Sequence, residues 1–173
     1  KNLLFFGGLR IGLFEEMYGG IGGEVLVRDI SKPWYLTANY YWAKQREFNQ
    51  RFSFRNYETF TGHLNFIWDT PLEGMKLILS AGRYLAKDSG LTLNLAKTFK
   101  TGFTLGLFAT RTDISYEEFG EGSFDKGIYF SIPLDLVSKN YNRNNARFVW
   151  KNLTRDGGAM MAGGLDLHGF VEN

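Results

Sequence analysis

The sequence predicts an all-β protein, an antiparallel transmembrane β-barrel of about 8–10 strands. Three observations point there. Apolar residues recur with a period of two rather than 3.6, in segment after segment. The positions between them hold mainly Thr, Ser, Asn, Gly and Tyr, where a soluble sheet turned to bulk water usually carries Lys, Glu and Gln. Compact turn signals alternate with longer polar connections, as in barrels with tight periplasmic turns and larger external loops. Pairing of the first strand with the last would close the barrel within the chain. A free edge on each would make the chain the C-terminal part of a larger or tandem barrel.

Composition bounds the alternatives. The 173 residues suit one domain, and 44% hydrophobic with 17% aromatic residues place the chain far from the disordered regime. A net charge of +2 gives no field for capturing nucleic acid, and no recognition motif accompanies it. Cysteine is absent, which excludes disulfides, thiolate metal sites and cysteine nucleophiles. No run approaches the ~18 apolar residues of a membrane helix, so a membrane-embedded chain must cross as strands. The first residue is Lys1 and no segment has the make-up of a signal peptide, so any export signal is expected upstream or already removed.

Taken in order, Leu9, Ile11 and Leu13 alternate with Arg10, Gly12 and Phe14, and a shorter second segment covers Glu24 to Arg28. In the third, Trp34, Leu36, Ala38, Tyr40 and Trp42 alternate with Tyr35, Thr37, Asn39, Tyr41 and Ala43. The fourth sets Phe60, Leu64, Phe66 and Trp68 against Thr61, His63 and Asn65, and the fifth Leu77, Leu79 and Ala81 against Ile78, Ser80 and Gly82. Leu91, Leu93 and Leu95 mark the sixth, and Phe103, Leu105, Leu107 and Ala109 the seventh. Ile128, Phe130, Ile132 and Leu134 mark the eighth. Trp34, Trp42, Trp68, Tyr35 and Tyr57 lie near segment ends, where the aromatic girdles of a bilayer-spanning barrel are placed.

The stretches Asp29 to Pro33, Asp69 to Gly74 and Lys100 to Gly102 read as periplasmic turns; Lys44 to Asn56 and Tyr116 to Lys126 read as external loops. Residues 1–135 thus hold the barrel strands. Residues 136–173 form an Asn-rich linker followed by Met160 to Phe170, which is a closing strand or a periplasmic tail or plug.

Several stretches resemble a known family: Gly19 to Leu26 (GGIGGEVL), Thr61 to Leu64 (TGHL), Ser80 to Ala86 (SAGRYLA), Phe119 to Ile128 (FGEGSFDKGI) and Leu153 to Gly158 (LTRDGG). In this order they resemble the C-terminal part of the YjbH/GfcD-type outer-membrane proteins associated with exopolysaccharide or capsule production. The resemblance implies an outer-membrane barrel with a role in polysaccharide secretion, in a longer protein with a further barrel region upstream. The tail after Gly158 departs from the pattern.

Candidate sites are few. Arg10, Glu16, Glu24 and Arg28 fall together if the first two strands pair, and form either a bracing ion-pair network or a polar track for an acidic glycan. His63 and Asn65, with Thr61, share an inward face; no serine stands in a nucleophile motif, so a hydrogen-bonded lumen histidine is favoured over a catalytic one. Glu117, Glu118, Glu121 and Asp125 crowd one loop beside Lys126, without the spacing of an EF-hand, and read as a solvated contact surface. No catalytic, cofactor or metal site is expected. The expected role is a non-enzymatic component of exopolysaccharide or capsule secretion, in contact with outer-membrane lipid, other secretion proteins of the envelope and glycan. The alternative is a scaffold barrel that anchors an envelope assembly without transport, with Tyr35, Tyr41, Phe108 and Tyr129 filling its interior.

Overall fold

A computed structural model describes residues 2–49, 51–114, 125–134, 145–151, 157–163 and 167. Period-two alternation becomes a single antiparallel sheet of nine strands in chain order, each paired with its sequence neighbours. The strands are β1 (Leu3–Leu13), β2 (Tyr18–Asp29), β3 (Trp34–Arg46), β4 (Phe54–Asp69), β5 (Met75–Arg83), β6 (Ser89–Thr98), β7 (Thr104–Thr112), β8 (Asp125–Pro133) and β9 (Asn145–Lys151). β1 to β8 have 9 to 16 residues, within or above the ~9–11 that a tilted strand needs to cross a bilayer; β9 has 7.

Turn chemistry sets the register. At β2–β3 the Asp29 carboxylate accepts the Ser31 N–H at 3.0 Å and its hydroxyl at 2.7 Å, closing an Asx turn. At β4–β5 the Thr70 N–H and hydroxyl both donate to the Met75 carbonyl. With the register fixed, alternate residues divide cleanly between two faces. Leu9 is 88% exposed and Ile11 79%, whereas Tyr35, Thr61 and Ile67 are at most 2% exposed. The exposed face carries Leu36, Phe60, Leu64, Leu79, Leu91, Leu93, Leu105, Leu107 and Ile128; the buried face carries Thr37, Thr59, Thr61, Ser80, Thr92 and Thr110. This is the reverse of a soluble sheet resting on an apolar core. A single sheet buries one face only by curling over it, so the polar face is concave.

Four expectations change. Among the described residues β1 pairs only with β2 and β9 only with β8, so the sheet is not closed into a barrel. Alternation specifies which face a residue takes, not whether distant strands meet, and so it carried no information on closure. The ninth strand is Asn145–Lys151, which begins in the end of the polar linker (Ser138 to Arg147) and runs through Phe148 to Trp150 rather than falling in Met160 to Phe170, and residues 157–163 form no strand. β2 begins at Tyr18 rather than near Glu24: its glycines weaken the pattern but leave room for rings, and a Cβ on Gly22 would overlap the Tyr41 side chain. The long third connection shrinks to 47–53, because β3 runs on to Arg46 through a bulge at Lys44/Arg46 and β4 starts at Phe54.

Candidate functional site

The concave face presents the polar chemistry of this protein. Register places Thr37, Asn65, Ser80, Thr92, Thr110 and Asp125 side by side across β3 to β8. Neighbours in this row satisfy one another: the Asn65 amide donates to the Thr37 hydroxyl at 2.9 Å, and the Thr92 and Thr110 hydroxyls lie 2.7 Å apart. Tyr84 extends the row from the β5–β6 turn, with its phenol 2.7 Å from Thr92. Burial pushes the Tyr84 phenol above its ordinary value against the pull of the Thr92 hydrogen bond, and the Asp88 carboxylate adds to the rise.

His63 lies one row away. Its backbone N–H donates to the Asn39 side-chain oxygen at 3.0 Å, and its ring meets Tyr84 edge-on at 4.7 Å. The ring is buried and its Nε2 has no hydrogen-bond partner among the described residues. Among the described residues no serine hydroxyl is bonded to this Nε2.

Toward the β4–β5 and β6–β7 turns the same face opens into a cavity of about 430 Å³ lined by Asp69, Lys76, Ile78, Thr98, Thr104 and Tyr129. Lys76 pairs with Asp69 at 3.5 Å, and the Thr98 and Thr104 hydroxyls lie 3.0 Å apart. The Tyr129 phenol donates to Asn94 at 3.0 Å, and the ring sits over Gly106, where any Cβ would overlap it. Arg147 stacks on Tyr129 at 4.6 Å, bringing β9 onto this site. The result is an aromatic wall with fixed hydroxyls and an ion pair, a set that can hydrogen-bond a neutral polyol.

The charged residues of the first two strands each have partners. Arg10 lies 5.7 Å from the Phe14 ring and reaches the Leu13 carbonyl at 3.4 Å; Arg28 stacks on Tyr35 at 5.0 Å. Glu24 is buried and accepts the backbone N–H of Leu167 at 3.1 Å. Glu16 is exposed in the β1–β2 turn, where its backbone carbonyl accepts from Arg46 at 2.8 Å. It does not face the interior, because β1 ends at Leu13 and alternation has stopped before it. Asp125 is buried at the start of β8 and Lys126 is exposed; Glu117, Glu118 and Glu121 lie outside the described residues. Among the described residues no group of three His, Asp or Glu is placed to hold a metal ion. Sequence reasoning did not single out Asp69, Lys76, Tyr84 or Asp88 as site residues, since Asp69 read as the start of a turn and Tyr84 as part of the Ser80 to Ala86 stretch.

The family model described as "Exopolysaccharide biosynthesis protein YbjH" matches residues 4–173. The chain belongs to the YjbH family. A relative in this family, "Uncharacterized lipoprotein YjbH" from Escherichia coli (strain K12), is 42% identical over 171 residues. The match covers 95% of this chain and 24% of the relative, so the chain spans about a quarter of the length of this YjbH protein. No solved structure matches the chain.

Proposed function

We propose that this chain is part of the wall of an outer-membrane β-barrel, and that the barrel serves exopolysaccharide or capsule secretion without catalysing a reaction. The carrying observation is the inversion of the sheet: its exposed face is rich in Leu, Ile and Phe, and its buried face holds most of the Thr, Ser and Asn of the strands beside a small Leu26, Tyr35 and Ile67 cluster. Only lipid or protein covers such an outer face without a large hydrophobic cost. Membership of an exopolysaccharide biosynthesis family supplies the substrate class. A row made mainly of hydroxyls and amides, with the Tyr129 ring nearby, suits a glycan better than an ion, since it offers many weak hydrogen bonds. The partners of this reading are outer-membrane lipid, the remaining strands of the barrel and other secretion proteins of the envelope.

The scaffold reading without transport draws on a different observation: Tyr35, Tyr41 and Tyr129 are all buried and fill much of the concave face. These 173 residues contain no cysteine, so a thiol introduced among them is unique within this stretch and can be compared with the unaltered protein. Cysteines placed at Leu93 and Leu107 in the full-length protein should react in isolated outer membranes with a lipid-partitioning maleimide and resist a charged one. Equal reaction of both positions with the charged reagent would overturn the membrane assignment. Secreted polysaccharide, measured with and without the gene, separates transport from scaffold.

A further inference from the structure

The concave face is not empty. Residues 157–163 and 167 lie against it at four separated places. Next to the β5–β6 turn, the buried Asp88 carboxylate accepts the Gly158 N–H at 2.8 Å, and the Leu85 N–H donates to the Ala159 carbonyl at 2.9 Å. Gly158 also packs on Thr110 of β7, where an added Cβ would come within 3.5 Å of the Thr110 Cβ. At the β1–β2 turn, Glu15 accepts the Ala162 N–H at 3.0 Å. Gly163 presses on Phe14 so closely that a Cβ would overlap its carbonyl oxygen. Deeper in the face, Glu24 accepts the Leu167 N–H at 3.1 Å, and the Leu167 side chain joins the cluster of Leu26, Tyr35 and Ile67.

Three carboxylates from three different parts of the sheet thus each hold one backbone N–H of the same short segment. Backbone N–H groups bonded to carboxylates are charge-assisted and stronger than neutral pairs. Because every anchor is to the backbone, the segment's own side chains contribute little to the hold apart from Leu167, and the glycines permit the close approach. The anchors run from β7 to the β1–β2 turn and then down β2, so the segment crosses the face from one side to the other.

We propose that residues 157–163 and 167 form an internal plug, latched by Asp88, Glu15 and Glu24, that has to leave the concave face before a polymer can pass along it. This rests on the secretion reading above. Asp88 and Glu24 are the principal latches, since both are buried and loss of a buried acceptor leaves an N–H unsatisfied.

The test uses full-length protein in proteoliposomes, read by swelling in a neutral oligosaccharide. Asp88→Ala with Glu24→Ala should admit the sugar several-fold faster than the unaltered protein. Asp88→Asn with Glu24→Gln, which keep an acceptor oxygen, should fall between. Adding Thr110→Cys and Gly158→Cys to the alanine variant provides the lock, because their Cβ separation of 3.5 Å is within disulfide range. The oxidised form should return to the slow rate and the reductant should restore the fast one, a reversal that misfolding cannot produce. Equal swelling of the unaltered and alanine proteins, or a disulfide that forms without slowing entry, would each overturn the plug. Polysaccharide secretion that persists without the gene would instead overturn the secretion reading, while the swelling and cross-linking results still report on the plug.

Discussion

Side chains on the two faces of one strand carry opposite consequences. Leu105 and Phe66 face outward, Leu105 44% exposed, and Thr61 faces inward, fully buried, with its hydroxyl donating to the Arg83 carbonyl at 2.6 Å. On the membrane reading, Leu105→Arg or Phe66→Arg near the midplane should cost about 2–4 kcal/mol. Thr61→Ala loses one hydrogen bond and should cost about 1 kcal/mol. Urea unfolding of the full-length protein in lipid checks the contrast, and equal penalties would place both faces in the same solvent. Glu15 supplies a pH dependence. Its folded pKa is raised by burial, against the Ala162 N–H that pulls it down, with Glu16 adding to the rise. A raised carboxyl contributes stability that is full below its ordinary value of 4.5 and lost as pH rises through the folded value. Glu15→Gln keeps an acceptor for Ala162 without the buried charge, so it should be more stable than the unaltered protein at neutral pH. The advantage should shrink as the pH falls through that window; a gap that widens on acidification would contradict the assigned cause.

Strands and turns set the topology. The connections 14–17, 47–53 and 84–88 fall at one end of the sheet and 30–33, 70–74 and 99–103 at the other, by the up-and-down order of the meander. The first group is proposed to face the exterior. Arg51, exposed in the 47–53 loop, should be the first site cut by trypsin added to intact cells. Preferential cutting around Lys76, beside the 70–74 turn, would invert the orientation. β9 is an edge element with Trp150 exposed and Phe148 stacked on Phe130 at 5.1 Å. Its outer edge and that of β1 hold backbone groups that a bilayer does not satisfy.

That edge argument governs the whole molecule. On the membrane reading, the edges of β1 and β9 that are unpaired among the described residues are unsuited to lipid, and further strands are expected to cover them. The chain spans a quarter of its relative, which leaves ample polypeptide in a protein of that length to supply them. Purified alone, this chain should therefore form no large, stable conductance in planar bilayers. A barrel of about eight strands has room only for side chains, whereas aqueous channels appear at ~16–18. Large uniform openings from the isolated chain would show that it closes or oligomerises into a pore unaided.

By itself the sequence determined the all-β antiparallel class, the alternation of faces within the runs it marked and the positions of the tight turns. These are local properties: side-chain period follows from the pleat, and turn type follows from residues such as Asp29 and Ser31 acting within a few positions. It also carried the family, through short stretches such as SAGRYLA at Ser80 to Ala86. It did not disclose β9, because polar residues surround Phe148 to Trp150, nor the full length of β2, whose glycines are explained only by the ring of Tyr41 above Gly22. The tertiary structure alone decided that β1 and β9 do not pair among the described residues and that residues 157–163 and 167 lie against the buried face. Those outcomes depend on partners far apart in the chain, Gly158 on Asp88, Ala162 on Glu15 and Leu167 on Glu24. A carboxylate that accepts a backbone N–H from a distant segment leaves no pattern in either stretch of sequence, since every residue but proline carries that N–H.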